Sequence, residues 1–232
     1  MKIFAISDLH ISTNTNKPMD VFGGNWVNYL DKIRADWVEK VGDNDLVLIG
    51  GDISWAMNIE QAKSDVFSLA DLKGKKILIK GNHDYWWSGI GKVREMLPEN
   101  FFALQNDSIR FDGVVICGSR CWSVPGSPDF NEHDLKLYLR EAERLKLSLK
   151  SAIKIKENDD KLIALIHYPP FNARREDTEF TKLFEEFGVD IVIYGHLHGK
   201  SVRSDKLVVK NGVKYYLTSC DQVDNKLTEI EL

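Results

Sequence analysis

The chain has 232 residues, 43% hydrophobic and 28% charged, with a net charge of −4. That suffices for one large domain or two small ones, with the balance of an ordinary soluble protein. The acidic charge argues against a broad grip on a nucleic-acid backbone, and no apolar run nears the ~18–20 residues of a membrane span.

Met1-Lys2 runs straight into an apolar strand, Ile3 to Ser7, that ends in Asp8-Leu9-His10. A cleaved leader there would carry candidate ligands away with it, so a cytoplasmic location is expected. The cysteines agree: Cys117, Cys121 and Cys220 form no CxxC pair and suit reduced thiols. Ile11 to Gly24 is polar, contains Pro18, Gly23 and Gly24, and reads as a loop. Trp26, Leu30, Ile33, Trp37 and Val41 recur at helical spacing until Gly42. A strand over Asp45 to Ile49 leads into Gly50-Gly51-Asp52. Ile59, Ala62, Val66 and Leu69 predict a second helix, and the run from Ile77 leads into Gly81-Asn82-His83-Asp84. Strand, helix, strand, helix, strand favours a parallel sheet.

Val93, Met96 and Leu97 mark a short helix before Pro98. From Phe101 the texture changes to short strands, Phe101 to Leu104, Ser108 to Phe111 and Val114 to Cys117, with a hairpin turn at Asp112-Gly113. Here the chain is expected to cross to a second sheet. Ser123 to Phe130, with Pro125, Gly126 and Pro128, is a loop. Leu135, Tyr138, Ala142, Leu145, Leu149 and Ala152 then alternate by three and four. They predict a long charged helix over about residues 131–156 that covers a sheet or serves as a cap or an oligomer contact. The strand to Ile166 delivers His167, and a helix over Phe180 to Phe187 follows. The strand Ile191 to Tyr194 then delivers Gly195-His196-Leu197-His198. A hairpin around Asn211-Gly212 and a last strand near Leu227 to Ile230 complete the chain. The site segments run from Asp8 to His198, so a single domain over 1–232 is expected.

Five of the six histidines lie at these strand ends; His133 does not. Ligand sites form beyond the carboxyl ends of strands in sheets covered by helices. Asp8, His10, Asp52, Asn82, His167, His196 and His198 together offer two carboxylates, one amide and four imidazoles, donors that suit manganese, iron and zinc. Seven donors exceed the needs of one tetrahedral metal, whereas two ions sharing a bridging carboxylate use them all. Two divalent ions over two carboxylates leave positive charge for an incoming phosphate. Trp55, Trp86, Trp87 and Trp122 follow site segments or sit on the loop before the long helix and would form an aromatic rim for a flat substrate group, unless they pack in the core. Arg174 and Arg175, shortly after His167, are candidate phosphate contacts. Asp84 would orient the His83 ring or cap the next turn.

The order Asp8-x-His10, Gly51-Asp52, Gly81-Asn82-His83-Asp84, His167, Gly195-His196-x-His198 resembles the calcineurin-like metallophosphoesterase superfamily. The resemblance implies an α/β fold, a four-layer αββα sandwich of two mixed β-sheets flanked by helices. It implies hydrolysis of small phosphate esters with two divalent ions. Asp8, His10 and His198 would hold one ion, Asn82, His167 and His196 the other, and Asp52 would bridge. In-line attack by a metal-bridging hydroxide would be assisted by His83 as proton donor. The serine/threonine protein phosphatases carry an Asp-Arg-Gly that is missing here, since Gly51-Asp52 continues Ile53-Ser54-Trp55. The chain looks more like the compact bacterial phosphohydrolases and phosphodiesterases of the superfamily. A non-catalytic binding module on the same fold would lack His83, and a nuclease would want a basic groove.

Overall fold

In a computed structural model, residues 1–13, 17–199, 202 and 204–232 are described; the expected loop over 11–24 thus lies in part outside them. Two sheets face each other. The first has the order β11 (Thr228–Glu229), β1 (Ile3–Ile6), β2 (Leu46–Ile49), β3 (Lys75–Leu78), β4 (Phe101–Ala103). β1 to β4 are parallel and β11 is antiparallel to β1. The second has the order β5 (Ser108–Phe111), β6 (Val114–Ser119), β7 (Lys161–Ile166), β8 (Ile191–Tyr194), β10 (Val213–Leu217), β9 (Leu207–Lys210). β6, β7, β8 and β10 are parallel, and β5 and β9 are antiparallel edges.

Side chains alternate across each strand, and this alternation builds three apolar layers. Ile3, Ala5, Leu46, Leu48 and Ile77 meet Ile116, Ile163, Leu165, Ile191 and Ile193 between the sheets. Their neighbours Phe4, Ile6, Val47 and Ile49 point outward under α1 (Tyr29–Lys40) and α2 (Ile59–Phe67), meeting Ile33, Trp37, Ala62 and Val66. Val115, Cys117, Leu162, Ala164 and Val192 point outward on the other side. There they meet Tyr138, Leu145, Leu149, Phe180 and Phe184 of α4 (Glu132–Ile155) and α5 (Glu179–Glu186). Strands buried on both faces read as unbroken apolar runs. The result is the expected four-layer αββα sandwich.

Two elements differ from expectation. Residues 101–103 still pair with β3 as β4, so the crossing to the second sheet follows Ala103 rather than preceding Phe101. Asn28 takes a left-handed backbone (φ 52°), which breaks the helical run, and Trp26 sits in a separate 3-10 turn over Gly24–Trp26. The short helix before Pro98 is α3 (Ile90–Met96). α4 begins at a capping box, Asn131 with Asp134, and its buried stripe covers β5 and β6. Among the described residues no helix is long and apolar enough to cross a membrane.

Candidate metal centre

The carboxyl ends of β1, β2, β3, β7 and β8 bring the seven donors together. The turns are tight: Asp8, His10, Asp52 and His196 have φ of 60°, 46°, 52° and 69°. Such left-handed backbone in non-glycine residues persists where surrounding contacts over-determine it. The surroundings do so here. Asp8 N–H donates to Gly51 O, His10 N–H to Asp52 O and Ile11 N–H to Ile53 O. The β1 and β2 loops therefore fix each other. Gly195 is needed because a Cβ there would stand 2.7 Å from Asp8 Oδ2; in return, His196 N–H donates to that oxygen at 2.9 Å.

Asp52 lies at the middle. Its Oδ1 accepts from His83 N–H at 2.8 Å. Its Oδ2 lies 3.7 Å from His10 Nε2 and 3.5 Å from His167 Nε2. Asn82 Oδ1 faces His167 Nε2 at 2.7 Å and His196 Nδ1 at 2.9 Å. Donor atoms of Asp8, His10 and His198 lie within 4.8 Å of one another, as do those of Asp8, Asp52 and His167. Asp8 thus reaches toward both halves of the cluster.

This donor set fits divalent cations on three counts. Both ring nitrogens of His10 and Asp52 Oδ2 are buried without a hydrogen-bond partner, an arrangement that is costly unless something fills it. His167 Nδ1 faces Gly50 O at 2.8 Å, and a carbonyl only accepts, so Nδ1 carries the proton and Nε2 is a bare lone pair. That lone pair points at Asn82 Oδ1, and a cation resolves two such acceptors. Third, burial drives every group towards neutrality. It pushes His167 down to about 3 and His196 down to about 2. It lowers His10, with His198 adding to the effect. It raises Asp8, with Asp52 adding to the effect, and lifts Asp52 to about 6 against the pull of the His83 amide. Neutral imidazole is the ligating form, and a divalent charge restores the carboxylates.

A pH dependence follows. Below about pH 6 the stripped, folded protein holds a proton on Asp52 that a metal must displace, while His167 and His196 are already neutral. Metal affinity should fall as pH drops through that value, by about tenfold per pH unit per displaced proton, with the raised Asp8 carboxyl adding a second proton to displace. Calorimetry in buffers of different ionisation enthalpy reads the proton release. Uptake independent of pH between 5 and 7 would contradict the assignment.

The structure chooses between the placements open for several side chains. Trp86 and Trp87 are not a rim. They are 1% and 4% exposed and pack in the layer beneath α1 and α2, with Trp86 Nε1 on Asp84 and Trp87 Nε1 on Gln105. Asp84 does not orient the His83 ring. Its Oδ1 accepts from the Ile53 and Ser54 amides and Trp86 Nε1, and its Oδ2 from the Gly81 amide. It ties the β2 and β3 turns together. Arg174 pairs with Glu176 and Arg175 with Asp205, both on exposed surface. Trp55 faces the centre: it stacks on His10 at 4.7 Å and tilts against His83 at 4.7 Å.

Sequence reasoning passed over Tyr168 and Asp221. The Tyr168 ring lies 4.2 Å from that of His196. Asp221 is buried, takes the Gly199 amide at 2.7 Å, and raises His198 against the larger effect of burial. It follows β10 in the same strand-then-acid pattern as the other segments, which is the signal that would have found it.

A sandwich with acids and imidazoles gathered at its strand ends offers a candidate metal centre. The chain belongs to the calcineurin-like phosphoesterase family, whose family model matches residues 1–200, and is a metal-dependent phosphoesterase. It is similar to a Coxiella burnetii protein named "Probable cyclic nucleotide phosphodiesterase", 23% identical over 214 residues, 85% of this chain and 76% of that protein. In fold it resembles TT1561 of Thermus thermophilus, with TM-score 0.59 and 14% identity over 99% of this chain and 98% of that one. It also resembles purple acid phosphatase PPD1 of yellow lupin (Lupinus luteus) seeds, with TM-score 0.52 and 14% identity over 100% of this chain and 46% of that one.

Proposed function

We propose that the protein hydrolyses small phosphate esters, diesters in particular, at a centre for two divalent ions. The observation that carries this is the convergence of seven donors on Asp52 and Asn82, with one further imidazole, His83, beside them and outside the donor groups. Asp8, His10 and His198 would hold one ion, Asn82, His167 and His196 the other, with Asp52 between them. Such ions polarise phosphoryl oxygens and acidify water. The chain does the rest. Asp84 and the crossed amides of the β1 and β2 loops keep the donors in place. Trp55 packs the His10 and His83 rings into fixed orientations, and His83 would hold the proton that the leaving alkoxide takes up. The diester preference is supported by the name of the Coxiella relative.

The test is elemental analysis of the purified protein together with turnover of a monoester and a diester that share one leaving group. Two metal equivalents and faster diester turnover are expected; full metal content without hydrolysis of either would favour a binding module. Asp52→Asn should lower both metal equivalents, since it removes a charge shared by both halves, whereas His198→Ala should lower mainly one. Two full equivalents in Asp52→Asn would overturn the bridging role.

A further inference from the structure

β3 and β6 face each other across the sandwich, so their carboxyl ends open one cleft beside the metal centre. Ile79 lies against Gly118. The next residues out form the cleft walls: Lys80 on one side, Ser119 and Arg120 on the other, with Glu141 and Arg144 of α4 as the floor and a volume of about 230 Å³. Both walls run directly into the donors. Lys80 precedes Gly81-Asn82, and the Arg120 carbonyl accepts from the amides of His167 and Tyr168 at 3.3 and 3.1 Å.

Three cations meet one carboxylate here. Glu141 is buried and satisfied by Arg144 at 2.7 Å, with Arg140 at 3.3 Å from outside. Arg120 stands further off, at 3.5 Å, its guanidinium laid over the Trp122 ring at 4.7 Å. Stacking leaves the in-plane N–H groups of an arginine free for a planar or tetrahedral anion. Lys80 Nζ touches only the Trp87 carbonyl, at 3.2 Å, and among the described residues has no carboxylate partner. One arginine suffices to neutralise Glu141, so the cleft keeps positive charge in a chain of net charge −4. A confined patch of one sign concentrates ligands of the other.

We propose that this cleft, lined by Lys80, Arg120 and Arg144, is an anion subsite that receives a second phosphate group of the substrate while the scissile ester lies at the metal centre. The inference rests on the phosphoesterase reading and narrows it to substrates carrying two phosphate groups. At about 30 Å³ per water, the volume takes a phosphate and part of its hydration.

The test compares thymidine 5′-(4-nitrophenyl phosphate) with the same compound bearing a 3′-phosphate. The leaving group is identical, so only the added charge differs. The metal-loaded protein should favour the doubly phosphorylated probe in kcat/KM by about tenfold to a hundredfold, the range of one or two charge-assisted hydrogen bonds. Lys80→Gln and Arg144→Gln should each bring the ratio down several-fold towards one. Should Arg144→Gln unfold by removing the Glu141 partner, Lys80→Gln decides alone. No preference in the parent protein, or equal losses on both probes, overturns the subsite. Inorganic phosphate titrated into the stripped protein distinguishes the other source: binding lost in Arg144→Gln, with no probe preference, would make this a free-anion site and overturn the substrate reading. Failure of the phosphoesterase reading itself shows as no turnover of either probe, and the ratio of their dissociation constants then decides the cleft by the same criteria.

Discussion

His83→Ala should keep the fold and the metal content and lose about 10²–10⁴-fold in turnover of alkyl and nucleotide esters. His83 is fixed through its backbone, whose amide donates to Asp52 Oδ1, while its ring stands between Trp55 at 4.7 Å and Tyr85 at 6.1 Å with Nδ1 buried and unpartnered. Burial lowers its pKa below the ordinary value, and Asp52 opposes that. A histidine so placed gives up a proton readily but holds it only in part at neutral pH, so the His83-dependent rate should decline as pH rises. Proton donation matters most for a poor leaving group, so nitrophenyl esters should lose clearly less than alkyl esters. Loss of metal from the variant would make His83 a ligand. A uniform loss across leaving groups would give it a positioning role.

Gly81→Ala should be more damaging than its size suggests, with a loss of about 10²-fold or more in turnover and a reduced metal content. A Cβ at this position would overlap Asp52 Oδ1 and the Asp52 amide nitrogen. Neither side can yield. The Gly81 amide is held by Asp84 Oδ2 at 2.8 Å, and Asp84 Oδ1 holds the Ile53 amide at 2.9 Å, one residue beyond Asp52. One methyl group therefore pushes the middle carboxylate out of register with His10 and His167. Overpacking of this kind costs about 1–3 kcal/mol, so a lower melting temperature should accompany the loss. A variant with parental metal content and turnover would show that the β2 and β3 turns are less tightly coupled than their hydrogen bonds indicate.

The four-layer sandwich itself was implied by the family resemblance. The strands and the candidate site segments were legible because strands buried on both faces leave long apolar runs, and each run stops abruptly at Asp, Asn or His. The two turns on either side of Asp52 could be placed for that reason. What the sequence hid depends on sheet order and on three-dimensional neighbours. Phe101 to Ala103 is too short to announce which sheet it joins. Trp86 and Trp87 show no period that would turn them inward; they are buried because the Asp84 turn folds them beneath the first sheet's helices. Asp221 follows β10 as the other acids follow their strands, but its nearness to His198 depends on β10 inserting between β8 and β9. Arg120 meets Lys80 across two sheets that the chain visits at different times.

The strand that carries Asp8 sits between β2 and β11, and its loop is closed from the far end of the chain. Ser7 Oγ meets Thr218 Oγ1 at 2.8 Å across 211 positions, and Cys220 Sγ donates to the Asp8 carbonyl at 3.1 Å across 212. Contacts of such sequence separation form late, because the entropy of closing the intervening chain must be met before they are gained. Asp8 takes its place against the segment after β10, and β11 covers the edge of β1. Metal binding to the assembled centre should therefore stabilise the folded chain, and ions supplied during refolding should raise the yield of folded protein.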